Sequence, residues 1–373
     1  MITVSRSVRR LINWWDFQFE KISVLAKTSR GTPFVKRVPI GMPHLPSEIL
    51  DCVFYLYRTR ADAESGAPFG GTGFFVGVPS DDQRQGDFIY AVTNWHVAVR
   101  DGNSVIRMNK PDGGVEIFEY DPYDWGFKPR WHDLAIMLVS INDKDVDFAA
   151  LSNKLIVSDS DALSLSLGPG EDVFMVGRFA DHDGATANVP AVRFGNISTM
   201  PQAIKQPTGA NALGSYILDM HSRTGYSGSP IFVYRTFGSE LNLNDVYVNR
   251  TMRFIKVLGL LWGNFPEEWT LHPGVDPVVQ GPKLSHNAAF VKGISGMCLA
   301  VPGSAILDML DMPEFTRARA DATKKFQRLN GSDLSPTALS ANSANEPPME
   351  NASHKEDFTS LLNAAAKTKP QDD

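Results

Sequence analysis

Between residues 47 and 311 the apolar positions fall into short β-branched and aromatic runs separated by turn residues. Asp51–Tyr57, Gly73–Val78, Phe88–Thr93, Val115–Tyr120, Leu134–Ser140, Asp172–Val176, Ser215–Met220, Ile231–Tyr234, Phe254–Leu261 and Gly296–Val301 have the length and composition of strands. Regular helical partners do not alternate with them, so the pattern predicts an all-β sandwich or barrel, not an α/β sheet. The last run leads into Ser304–Leu310, where Ile306, Leu307, Met309 and Leu310 predict a short C-terminal helix. Asp143–Ala162, poor in large aromatics, is the expected bridge between two barrels.

The flanks read differently. Val8–Lys27 sets Leu11, Trp14, Trp15, Phe17, Ile22 and Leu25 partly on one side of a helix. Such a helix is expected to pack on the domain it precedes, not on a lipid surface. Gly31, Pro33, Pro39, Gly41, Pro43 and Pro46 then suit a linker, making residues 1–46 an N-terminal helical extension. After Pro313 the composition turns to small, polar and charged residues, which predicts a polar tail over 312–373, largely disordered.

Composition narrows the classes. The chain has 373 residues, 43% hydrophobic and 21% charged, enough for a sizeable core. With 36 Lys plus Arg against 42 Asp plus Glu, the formal charge is −6, and nucleic acid is not the expected partner. Cys52 and Cys298 both sit in apolar runs and read as reduced core thiols. Arg6, Arg9 and Arg10 precede a stretch interrupted by Asn13, Asp16 and Glu20, so no secretion signal is expected. No apolar run approaches the ~18 residues of a membrane span, and the protein is expected to be cytoplasmic. No His/Cys cluster has zinc-ligand spacing, and no GxxxxGK[ST] or GxGxxG follows a strand, so neither metal nor cofactor is expected.

Three segments carry chemistry. A serine hydroxyl needs a base, a group that orients the base, and donors for the oxyanion. Gly225-Tyr226-Ser227-Gly228-Ser229-Pro230 offers Ser227 on a tight turn, with the N–H groups of Gly225 and Ser227 as oxyanion donors. Taken alone, it reads equally as a glycine-rich hairpin turn. His96 closes the run Tyr-Ala-Val-Thr-Asn-Trp-His-Val, which suits a base held at a strand end. Asp133 opens Asp-Leu-Ala-Ile-Met-Leu-Val, where a carboxylate is expensive unless paired; pairing with His96 would resolve that cost. The competing readings are a turn cap at Asp133, or His132 as the functional residue. The order His, Asp, Ser and the Ser at position 229 disfavour an α/β-hydrolase elbow.

These residues resemble the chymotrypsin-like (trypsin-fold) serine peptidases over roughly 47–311, in particular the bacterial branch that includes HtrA-type and V8-like enzymes. The landmarks are Gly71-Thr72-Gly73-Phe74-Phe75, Thr93-Asn94-Trp95-His96-Val97, Asp133-Leu134-Ala135, Gly225–Pro230, Gly259-Leu260-Leu261-Trp262-Gly263 and Gly296-Met297-Cys298-Leu299-Ala300-Val301-Pro302. The resemblance implies two perpendicular six-stranded β-barrels, about 47–150 and 160–311, with the active site between them. It implies that residues 260–263, including Leu261 and Trp262, offer their main chain to substrate as an added strand. Gly263 would keep the pocket mouth open, and His221 would fall near the pocket base.

Departures from the family also speak. Tyr226 stands where secreted zymogens carry an Asp that pairs with a new N-terminus, so that activation route is expected to be absent. The tail is too short and polar for the PDZ domain of HtrA enzymes. Leu261 replaces the His that glutamate-specific members carry, and no Asp marks a basic-residue pocket. Residues 264–290, with Pro266, Trp269, His272, Pro273, Pro277 and Pro282, read as a long insertion beside the cleft that narrows substrate choice or gates access. The expectation is a serine endopeptidase acting on protein or peptide, with a regulatory partner protein left open. The alternative is a catalytically silent module on the same fold that binds peptides or scaffolds a complex. An esterase would differ only in substrate.

Overall fold

The computed structural model describes residues 45–331 except 46, 143, 183, 185, 207–212, 236–253 and 271–289. The expected helix over 8–27, its linker and the 332–373 end of the tail lie outside the described residues. Among those described, thirteen strands make two sheets. The first contains β1 (Val53–Tyr57), β2 (Gly71–Pro79), β3 (Asp87–Thr93), β4 (Val105–Asn109), β5 (Val115–Phe118) and β6 (Ala135–Val139), in the order β5-β4-β1-β2-β3-β6. A two-residue seventh strand, β7 (Leu151–Ser152), adds in parallel to β2. The second holds β8 (Asp172–Gly177), β9 (Ala191–Ile204), β10 (Leu213–Asp219), β11 (Pro230–Arg235), β12 (Phe254–Thr270) and β13 (Phe290–Pro302). It closes as a barrel in the order β10-β13-β12-β11-β8-β9. The all-β architecture of two barrel-like sheets expected from the sequence is present, the second sheet closed and the first an unclosed path that gains a strand over the six expected.

Side-chain alternation explains why β2 reads as one unbroken apolar run. Phe74, Val76 and Val78 enter a core shared by the two sheets, while Phe75 faces the interior of the first. A strand covered on both faces has no need of a polar side. The shared core joins Tyr90, Ile136 and Leu138 of the first sheet to Phe174, Phe232, Leu260, Trp262 and Val301 of the second. Ile306 and Met309 of the Gly303–Leu310 helix complete it. Cys52 and Cys298 are both buried and unpaired as disulfides, and burial pushes the Cys298 thiol up to about 12.

Four elements differ from expectation. β4 and the fourteen-residue β9 were not predicted; Arg107 sits fully buried in β4, and β9 is punctuated by Arg193, Gly195, Asn196 and Pro201. The stretch from 264 to 270, expected to begin a long insertion, instead continues β12, pairing through Glu267↔Gly293, Trp269↔Val291 and Thr270↔Phe290 with β13. Residues 271–289 lie outside the described set. The start of the tail differs as well. Pro313–Gly331 is a helix, not a disordered segment. Its covered stripe of Phe315, Ala318, Arg319, Ala322, Thr323 and Phe326 follows helical spacing with few large apolar residues, which is why composition concealed it.

That helix lies on the first sheet. Phe315 meets Tyr90 edge-on with ring centroids 5.8 Å apart, and Arg319 donates to the Tyr90 hydroxyl (3.0 Å) and the Leu310 carbonyl (2.8 Å). The buried Thr323 hydroxyl is 3.2 Å from that of Ser80. No described helix is long and apolar enough to cross a membrane. Because Phe315 is only half-buried, Phe315→Ala is expected to lower unfolding free energy by about 2 kcal/mol, below the usual range for a core Phe. Urea denaturation of the full chain measures it; an unchanged midpoint would mean that the helix contributes nothing to the folded body.

Candidate active site

The strand pairing β3 with β6 runs to Thr93↔Ala135, which brings the residues just beyond the two ends side by side. His96 opens a short π-helical turn, His96–Arg100, three residues after β3, and Asp133 lies two before β6. The His96 main-chain N–H donates to Asp133 Oδ1 at 2.9 Å, and its ring Nδ1 lies 2.5 Å from Asp133 Oδ2. Asp133 has no exposed surface, and the His96 side chain retains 13%. With Nδ1–H given to the carboxylate, the neutral ring keeps Nε2 as its basic nitrogen.

The main chain of Asp133 is held as firmly. Its carbonyl accepts from Asn94 Nδ2 at 2.8 Å, and its N–H donates to Gln206 Oε1 at 2.7 Å. The same Gln206 amide donates to His132 Nδ1 (3.1 Å) and to the Ser215 hydroxyl (3.2 Å). Ser215 also accepts from the indole N–H of Trp262 at 3.1 Å. His132 is thus part of the support behind Asp133. Gln206 and Ser215 have no sequence signature, since a lone amide and a lone hydroxyl occur in any chain.

The serine turn is built on two glycines with positive φ, Gly225 at +98° and Gly228 at +86°. A side chain on Gly228 would start 2.0 Å from the Thr72 carbonyl oxygen, so glycine is required for close approach as well as for dihedral angle. The Ser227 carbonyl accepts from the Thr72 N–H (2.9 Å), Gly228 N–H donates to the Leu261 carbonyl (2.9 Å), and Leu261 N–H to that of Ser229 (2.9 Å). The turn is therefore stitched to both sheets. The turn and the residue after His96 meet across Gly71: a Cβ there would lie 2.6 Å from Val97 Cγ1 and 3.1 Å from the Ser227 carbonyl oxygen. Among the described residues the Ser227 hydroxyl makes no hydrogen bond, and neither Gly225 N–H nor Ser227 N–H has an acceptor.

Tyr226, where zymogens keep an Asp, is fully buried in the interior of the second barrel. Its hydroxyl accepts from Arg193 Nε at 3.4 Å, and burial pushes the phenol up. Leu261 is buried, Trp262 nearly so, and Gly263 half-buried with only Leu299 Cδ1, 3.9 Å away, near where a Cβ would stand. β11 pairs with β12 only as far as Leu260, so among the described residues the edge of Trp262 and Gly263 away from β13 meets no strand. His221 is exposed, its ring standing over Gly296, where a Cβ would lie 2.9 Å from the His221 Cε1. Beside it the buried Ser222 donates to Asn264 Oδ1 at 2.7 Å. Among the described residues no group of three or more His, Cys, Asp or Glu could hold a metal.

A two-barrel body with a His–Asp pair and a glycine-flanked serine turn at the junction is the trypsin fold. The family model of the trypsin-like peptidase domain matches residues 71–236, the stretch from β2 to just past β11 that carries His96, Asp133 and Ser227. No curated protein sequence matches the chain. Among solved structures, the HtrA-type protease AlgW with a decapeptide is similar at 14% identity and TM-score 0.37, covering 74% of this chain and 66% of that one. The Rv3671c protease of M. tuberculosis, in its inactive form, is similar at 16% and 0.37, covering 71% and 89%. Deg5 is similar at 15% and 0.33, covering 58% and 81%. The chain spans between 60% and 66% of the length of the AlgW chains.

Burial draws the His132 imidazole down from its ordinary 6.5 to about 4. Between those values the unfolded chain binds a proton that the folded chain refuses, so this group makes stability fall as pH falls from 6.5 toward 4. In urea titrations across that window, His132→Gln is expected to lose less stability on acidification than the wild type. Parallel losses would show that His132 takes up its proton without penalty in the folded state.

Proposed function

We propose that the protein is a serine endopeptidase whose catalytic unit spans about 47–311. The short contact between the His96 ring and the fully buried Asp133 carboxylate is the observation that carries this reading. Asp133 holds the imidazole in the Nδ1–H tautomer and stabilises the imidazolium that forms during reaction. A peptide laid along the open edge of Trp262 and Gly263 would present its scissile carbonyl to Ser227. His96 Nε2 takes the Ser227 proton as Oγ attacks, and the Gly225 and Ser227 N–H groups, free of other acceptors among the described residues, receive the oxyanion. Collapse passes the proton to the leaving amine and leaves an acyl group on Ser227. Water, activated by the same imidazole, releases it.

A second reading has a specific observation behind it. The Ser227 hydroxyl makes no hydrogen bond among the described residues, which suits a silent peptide-binding module as well as a resting enzyme that aligns on substrate. Fluorophosphonate labelling of the full chain separates them. The wild type is expected to be labelled and Ser227→Ala not. Asp133→Asn, which preserves shape while reversing the hydrogen-bond logic at Nδ1, is expected to lower kcat by about 10⁴-fold. A folded wild-type protein that never reacts with the probe would give the case to the silent module.

A further inference from the structure

Thr72, the second residue of β2, has no exposed surface, and every polar atom it owns is engaged at the serine turn or its footing. Its hydroxyl donates to the Gly225 carbonyl at 2.7 Å and accepts from the Arg178 main-chain N–H at 2.9 Å. Its own N–H donates to the Ser227 carbonyl at 2.9 Å, and its carbonyl accepts from the Thr93 hydroxyl at 2.7 Å. One residue of the first sheet therefore holds the carbonyls on either side of Tyr226, Gly225 through its hydroxyl and Ser227 through its main-chain N–H, and its own carbonyl ties them to the strand that leads to His96. From this we infer that Thr72 is a positioning residue for the oxyanion donors, an assignment that rests on the peptidase reading above.

The peptides that flank the donors are locked. At φ +98° Gly225 has no side chain to restrict its rotation, and its N–H is one of the two donors. Turning the Gly225–Tyr226 peptide would strip the Thr72 hydroxyl of its acceptor and leave a buried carbonyl unpaired, which is costly in the absence of water. The Ser227 carbonyl, held by the Thr72 N–H, fixes the other end. The two peptides held by Thr72 flank those that carry the donors, whose own carbonyls, Thr224 and Tyr226, accept from the Ala180 N–H (3.3 Å) and the Ser229 N–H (2.9 Å); with the flanking peptides fixed the donors are aimed before substrate arrives, the condition for electrostatic stabilisation of a transition state without reorganisation. A valine at 72 would keep the shape and β-branching while deleting both hydroxyl bonds; a serine would keep the bonds while deleting a methyl group.

The test uses the full chain and a fluorophosphonate probe, whose phosphoryl oxygen takes the oxyanion position. Thr72→Val is expected to lower the saturating labelling rate by about 10- to 100-fold while leaving the half-saturating probe concentration within about twofold, the pattern of a misplaced catalytic group. Thr72→Ser should return the rate to within about threefold of wild type, because it restores both hydrogen bonds. The pH at which the rate is half-maximal should stay put in both, since His96 and Asp133 are untouched; damage spread through the site would move it. Wild-type labelling by Thr72→Val, or equal loss in Thr72→Val and Thr72→Ser, would overturn the assignment while leaving the peptidase reading intact. If the valine variant does not fold, Thr72→Ala against Thr72→Ser reads the same hydroxyl. Failure of the wild type itself to react would instead sink the peptidase reading, and this one with it.

Discussion

A carboxylate with no solvent survives as an ion only when donors fill its oxygens, and the rest of this structure depends on how Asp133 meets that demand. Removing an isolated carboxylate from water costs several kcal/mol even after relaxation, so Asp133 must be partnered or neutral. Its partners come from one residue: the His96 main-chain N–H on Oδ1 and the ring on Oδ2. A pair made this way fixes both the position of the imidazole and the path of the chain that carries it. The β3–β6 register supplies the approach, and Asn94 and Gln206 hold the Asp133 main chain so that the carboxylate cannot swing away.

Gln206 and Ser215 belong to the second sheet and Asp133 to the first, so the support of the His–Asp pair crosses the junction. So does the support of the serine turn. Arg178, just past β8, is fully buried with its guanidinium 4.3 Å from the Tyr57 ring centroid, and it donates to the Phe69 carbonyl at 2.7 Å and to that of Ala67. Those carbonyls lead directly into β2. Arg107 of β4 stacks on the same ring at 4.9 Å and donates to the Ala63 carbonyl. A cation that is dry must satisfy its donors with fixed acceptors, and these two do so with main-chain oxygens of the segment preceding Thr72 and, for Arg107, also with the side-chain oxygen of Asn188 at 2.8 Å. The junction is thus held by directional bonds as well as by the shared apolar core, which specifies the relative placement of residues drawn from both barrels.

The parts legible in the sequence were those whose chemistry is expressed locally. Runs such as Asp51–Tyr57 and Ile231–Tyr234 declare strands because β-branched and aromatic residues fit a pleated, covered surface. Asp133 declared itself by standing next to a buried apolar run, and the Ser227 turn by its glycines, two of which have positive φ. β9 was not legible because only Ile197 of its fourteen residues is fully buried, leaving no apolar run to read. Arg107 hid β4 for the opposite reason: a charged residue mid-strand reads as surface until its carbonyl partners and aromatic neighbours are in view. Gln206, Ser215 and Thr72 are legible only in space, since their roles arise from partners dozens of residues away.

Tyr226 shows how the turn manages without the ion pair its position carries in secreted zymogens. An Asp there would be an unpaired buried charge unless a cationic N-terminus reached it. The tyrosine ring joins the barrel interior beside Met175, Leu218 and Val233, and its hydroxyl reaches Arg193 on β9. A side chain held by an apolar interior needs no cleavage to generate its partner, and the folding of the barrel is enough to seat it. With Tyr226 drawn into the second barrel and its flanking carbonyls held by Thr72 of the first, the turn is fixed from opposite sides.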